Sequence, residues 1–134
     1  MSAEDNVKTI RAVYEAFGRG DVGFILDSVT DDVDWATDTT SDGAPWYGDR
    51  HGKEEVRGFF RAVADSVEVD EFTPLSFAAG DDDVHTLVRF RVRSSRTGKG
   101  ASMNLHHYFV FHDGKISYYR GSEDTAQVEA VFRD

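Results

Sequence analysis

The residue of this 134-residue chain best suited to moving a proton is His107, with Arg120 suited to holding an oxygen, because of what surrounds them. Residues 101–112 read ASMNLHHYFVFH, and in a strand the side chains of Ala101, Met103, Leu105, His107, Phe109 and Phe111 point the same way. An imidazole, the side chain that titrates near neutrality, thus interrupts an apolar face. Asp113-Gly114 follows, the sequence of a tight two-residue hairpin turn. A regular hairpin about it pairs His112 with Lys115, Phe111 with Ile116, Phe109 with Tyr118 and His107 with Arg120. His107 then acts as a general acid or base, or is a buried histidine satisfied by a neighbouring hydroxyl or the backbone. Arg120 either holds a carbonyl or anionic oxygen, or pairs with Asp124, Glu123 or an acid of the first helix.

The elements that position these groups follow from hydrophobic periodicity. Val7, Ile10, Tyr14 and Phe17 recur at helical spacing, and Gly18 and Gly20 end that helix. Asp21 caps a short second helix carrying Phe24, Ile25 and Val29. Residues 30–37 form a first strand with Val33, Trp35 and Thr37 on one face. Residues 38–51 form a loop that places Trp46 and Tyr47 over the mouth of an apolar space. Gly52 opens a third helix with Val56, Phe59, Phe60 and Val63 as its stripe.

The rest is strand and turn until a last helix at about 124–132. In residues 84–96, Val84, Thr86, Val88, Phe90 and Val92 share one face. A four-residue loop of 97–100 sets Phe90 opposite His107 and Val92 opposite Leu105, so the apolar faces coincide. The predicted cavity wall is Tyr14, Trp35, Trp46, Phe60, Phe90, Leu105, Phe109 and Tyr118. The opposite face carries Arg89, Arg91 and Arg93 beside His106 and Tyr108, a mixture suited to a subunit interface, so a homodimer through this face is expected.

Composition narrows the partners. The formal charge of −10 disfavours nucleic acid and anionic membranes, both of which need a cationic surface. Seventeen of the 25 acids are Asp and 11 of the 15 bases are Arg, as in proteins of high-salt cytoplasm or of GC-rich genomes. There is no cysteine, so no disulfide, thiolate site or thiol nucleophile. The start carries no leader-like run and no segment is long enough to span a bilayer, which gives a soluble, cytoplasmic protein as the expectation. His106 and His107 face opposite sides of a strand and cannot share an ion, so neither a metal nor another cofactor is expected. Helices followed by a meander of strands make one α+β domain over residues 1–134.

The motifs, taken in order, resemble those of a known family. Gly18-Arg19-Gly20-Asp21, Thr30-Asp31-Asp32-Val33, Pro45-Trp46-Tyr47-Gly48, His51-Gly52-Lys53-Glu54-Glu55-Val56, His106-His107-Tyr108-Phe109, Asp113-Gly114-Lys115-Ile116 and Asp124-Thr125 are similar to the SnoaL-like branch of the nuclear-transport-factor-2-like superfamily. The resemblance implies a cone: a strongly curved antiparallel sheet wrapped around the N-terminal helices, with a pocket inside and dimerisation through the outer face.

It also implies a small-molecule ligand and, as one option, cofactor-free isomerisation, cyclisation or hydration of a partly apolar carbonyl or cyclic compound. The alternative is a non-catalytic dimeric binding or interaction module of the same fold. Ketosteroid isomerases of this superfamily combine an Asp base with a Tyr and a protonated carboxylic acid. Here the acid's position falls on His107 and the Tyr position on Val13, which disfavours that reaction. Asp38 follows the first strand, where bases of the superfamily sit, so His107 and Asp38 with Arg120 form the expected catalytic group. The alternation with Asp34 and Ala36 puts Asp38 opposite Trp35 unless a bulge intervenes.

Overall fold

The computed structural model describes residues 2–133. α1 (Ala3–Gly18) starts at a capping box between Ser2 and Asp5 and buries Ile10, Val13, Tyr14 and Ala16. α2 (Val22–Asp27) is capped by the Asp21 carboxylate, which accepts from the Phe24 amide. β1 (Val29–Thr37) and the short β2 (Arg50–His51) flank the loop, and α3 (Lys53–Ser66) begins at Gly52. Long strands β3 (Val67–Ala79), β4 (Asp83–Ser94) and β5 (Gly100–His112) follow, then β6 (Lys115–Ser122) and α4 (Thr125–Phe132).

One six-stranded sheet runs β2-β1-β6-β5-β4-β3. It is antiparallel except where β1 lies parallel to β6, which sets Trp35 beside Tyr119. The curved sheet and the helices in its hollow make an α+β cone, as the order of elements implies. Facing strands supply Val84, Val88, Phe90 and Val92 from β4 and Met103, Leu105, Phe109 and Phe111 from β5 to one core with the helices.

Two registers differ from the regular hairpins. The β4–β5 connection is residues 95–99, with Gly98 in a left-handed conformation (φ 76°) and the Ser94 amide donating to the Lys99 carbonyl. Gly100 therefore pairs with Arg93, and His107 lies opposite Thr86 rather than Phe90. The slip moves partners by an even number of residues, so every side chain keeps its face.

The second difference flips faces. Asp113 (φ 50°) and Gly114 (φ 80°) make the expected turn, and His112 pairs with Lys115 and Phe111 with Ile116. A bulge at Ser117 then pairs Val110 with Tyr118, Phe109 with Tyr119, Tyr108 with Arg120 and His107 with Gly121. Tyr119 turns inward, and Tyr118 and Arg120 turn out.

Candidate functional site

A cavity of about 80 Å³ opens between α1, α3 and the inner sheet face. Of the eight predicted wall residues, Tyr14, Trp35, Trp46, Phe60, Phe90, Leu105 and Phe109 line it, with His107 at its polar end. Tyr118 does not, because the Ser117 bulge places it on the outer face. Tyr119, Glu123 and Phe72 also line the cavity and were not picked out by residue patterns. Tyr119 could have been found only by locating the bulge. Glu123, just past the last strand, carried no periodic signal. Phe111 is buried away from the cavity.

His107 is held by residues from two other elements. Tyr14, on α1, brings its hydroxyl to 2.8 Å from His107 Nδ1 and 2.6 Å from Thr86 Oγ1 of β4. The second contact exists because the β4–β5 register sets Thr86 opposite His107. Burial, with the nearby His106 charge adding to it, pushes the His107 imidazole down to about 3, so the ring is neutral at physiological pH. Burial likewise pushes the Tyr14 and Tyr119 phenols up, so both keep their protons.

Tyr119 packs against this group, its ring centroid 5.3 Å from His107, 5.1 Å from Phe109 and 4.1 Å from Trp35. Its hydroxyl has no hydrogen-bond partner among the described residues and sits over Gly121, where a Cβ would overlap it. Gly121 thus makes the room that Tyr119 occupies.

Glu123 supplies the only carboxylate on the cavity wall among the described residues. It accepts from the Tyr47 hydroxyl at 2.9 Å and the Trp46 indole N–H at 3.4 Å, both from the 38–51 loop. Burial raises its affinity for a proton, and these two donors partly offset the shift. The loop aromatics therefore orient a carboxylate as well as closing the cone.

Arg120 and Asp38 are not brought to His107. Arg120 Nη1 lies 2.9 Å from Asp34 Oδ1, and its guanidinium stacks on Tyr118 at 4.2 Å from the ring centroid. Of the alternatives open for Arg120, an ion pair is what forms, though with an acid of β1. Asp38 is exposed just past β1, whose register against β6 is regular from Asp34 to Thr37, and its amide donates to the Gly121 carbonyl. Among the described residues no group of three or more His, Asp or Glu is placed to hold a metal ion. No helix of the described residues is long and apolar enough to cross a membrane.

Comparison with known proteins agrees with this architecture. The SnoaL-like domain family matches residues 10–119. An NTF2-like protein of unknown function from Burkholderia pseudomallei is similar over the full length of both chains, with 28% identity and a TM-score of 0.87. A candidate isomerase from Rhodopseudomonas palustris is 26% identical over 99% of this chain and 100% of its own, with a TM-score of 0.79. An LEH-like epoxide hydrolase from M. tuberculosis shares the fold at 14% identity, covering 94% of this chain and 87% of its own, with a TM-score of 0.74. No curated protein matches the chain.

Proposed function

The chain belongs to the SnoaL-like domain family, and we propose that it binds a small, mainly apolar carbonyl or cyclic compound inside its cone and moves a proton on it without a cofactor. Isomerisation, cyclisation and hydration are the reactions this covers. One observation carries the reading: an imidazole and a carboxylate, His107 and Glu123, share the wall of an otherwise apolar and aromatic cavity. The similarity to a candidate isomerase at 26% identity supports the same class.

In this reading Glu123 takes a proton from a carbon beside the ligand's carbonyl, and the electron pair passes to the carbonyl oxygen. The protonated Glu123 then returns the proton at another carbon. Burial raises the Glu123 carboxyl toward the working pH, which suits an acid that must also act as a base. His107 and Tyr119 border the space where the oxygen sits. Native mass spectrometry of the purified protein identifies a retained ligand, and turnover of that compound is then measured in Glu123→Gln and His107→Gln. A loss of about 100-fold or more is expected in each. Unchanged turnover in either variant removes that residue from the mechanism.

The narrowness of the cavity favours a second reading, a dimeric binding module without catalysis. Phe59, Phe60, Phe72, Phe90 and Phe109 take up much of the cone and leave space for only a few waters. A retained ligand released chemically unchanged after long incubation identifies this case. In both readings two copies meet through the outer face at Arg89, Arg91, Arg93, His106 and Tyr108. Arg93 is tied to Asp70 through two hydrogen bonds and Arg91 lies 4.0 Å from Glu71, so this face is less cationic than its arginines suggest. Sedimentation velocity decides between monomer and dimer.

A further inference from the structure

Three polar atoms form a row from β4 through α1 to β5: Thr86 Oγ1, the Tyr14 hydroxyl and His107 Nδ1, with separations of 2.6 and 2.8 Å. We propose that Tyr14, backed by Thr86, is a positioning residue that donates to His107 Nδ1, so that His107 carries its proton on Nε2 and offers the cavity an N–H donor for a carbonyl, enolate or phenolate oxygen. The oxygen ligand rests on the function proposed above, while the placement of the proton stands without it.

Tyr14 has one proton, so it donates to at most one neighbour, and accepting from both would leave its own buried proton without an acceptor. In the first arrangement Thr86 donates to Tyr14, Tyr14 donates to His107 Nδ1, and the imidazole proton is on Nε2. In the second, His107 Nδ1–H donates to Tyr14 and Tyr14 donates to Thr86. The Thr86 hydroxyl proton then has no acceptor, because Thr86 makes no other side-chain hydrogen bond among the described residues. Thr86 is 4% exposed and does not line the cavity. The donor left over in the first arrangement is His107 Nε2–H, on a partly exposed side chain that lines the cavity, whereas in the second it is a sealed hydroxyl, so the first arrangement wins.

The protonation states agree. The imidazole is neutral and the phenol keeps its proton, so neither a cationic ring nor a phenolate offers a third arrangement. His107 Nε2 has no protein partner among the described residues, on a side chain that lines the cavity. The Tyr119 hydroxyl, on a ring 5.3 Å away centre to centre, is a second donor without a partner. Two donors in an apolar cavity suit an oxygen that gains negative charge. The neutral imidazole then steadies that oxygen, and Glu123 is the group left to carry the proton.

The test is the nitrogen spectrum of histidine-labelled protein without ligand, with His107 assigned by its loss in His107→Gln. Wild type is expected to show a pyrrole-type Nε2 and a pyridine-type Nδ1. Tyr14→Phe keeps the ring and removes the donor to Nδ1, and is expected to shift the ring toward Nδ1 protonation, whereas Thr86→Val leaves Tyr14 with Nδ1 as its only acceptor and keeps the wild-type pattern. If Tyr14→Phe does not fold, the wild-type tautomer alone decides. An Nδ1-protonated ring in wild type, or a nitrogen pattern that ignores loss of the Tyr14 hydroxyl, overturns the role of Tyr14. Binding of 4-nitrophenol, read by absorbance, tests the oxygen site: Tyr14→Phe is expected to weaken it about tenfold and Thr86→Val to leave it near the wild-type affinity. An Nε2-protonated ring in a cavity that takes up no phenol leaves the tautomer assignment standing and overturns the oxygen site.

Discussion

Arg120 reaches Asp34 at 2.9 Å on the outer face of the sheet, one residue along β6 from Tyr119, whose side chain lies inside the cone. That one-residue difference separates the chain's structural cation from its cavity. Arg120→Gln should leave the His107 nitrogen spectrum unchanged. It should cost about 1 kcal/mol or less in urea unfolding, since both partners are partly exposed (24% and 38%) and water screens the pair. A changed His107 spectrum would contradict the placement of Arg120.

His107 ties stability to pH. Its folded value, about 3, lies below the unfolded 6.5, so between these values the unfolded chain binds the extra proton. Stability is therefore full above pH 6.5 and falls as pH drops toward 3, by about 1.4 kcal/mol per pH unit within that window. Glu123 works in the opposite sense above 4.5, because its folded carboxyl holds a proton that the unfolded one has released. The His107 contribution is thus read as the difference between wild type and His107→Gln in urea midpoints from pH 7 to pH 5. The variant should lose stability less steeply on acidification, and parallel pH profiles would show that His107 is not buried as described.

Gly121 makes space for a side chain two residues earlier on its own strand. Gly121→Ala puts a Cβ where the Tyr119 hydroxyl sits and close to the His107 ring. Overpacking of this kind costs about 1–3 kcal/mol, measurable as a lower thermal midpoint. Tyr119→Phe in the same chain removes the clashing oxygen and should recover part of the loss. Equal losses in the single and double variants would place the strain elsewhere.

The charge of −10 predicts a response to salt. Screening shortens the reach of like-charge repulsion from about 10 Å at 0.1 M to about 3 Å at 1 M, so the urea or thermal midpoint should rise from low to multimolar KCl. Equal stability at both would remove the high-salt reading of the Asp- and Arg-rich composition.

Much of the site was legible because strand alternation is robust to some errors. His107 with Leu105 and Phe109, and Phe90 with Val88 and Val92, face inward whatever loop joins their strands, provided the slip is even. The actual β4–β5 register differs from the regular one in that harmless way. The helical stripes identified Tyr14 and Phe60 by the same kind of logic, and Trp46 came from the loop. Glu123 was visible only as a possible partner for Arg120, since a residue past the end of a strand has no period to place it.

What the chain's order of residues determines is therefore the fold, through the succession of helical and alternating patterns and the turn at Asp113-Gly114, and the presence of one histidine inside the cone. What only the folded sheet decides is that residue's company. A single extra residue at Ser117 exchanges Arg120 for Tyr119, because side chains alternate with a period of two and an odd slip inverts every position beyond it. The meeting of Tyr14, Thr86 and His107 joins positions 14, 86 and 107, and depends on the docking of α1 against β4 and β5. Contacts between distant segments carry no local period, so packing alone turns a lone histidine into one end of a hydrogen-bonded row.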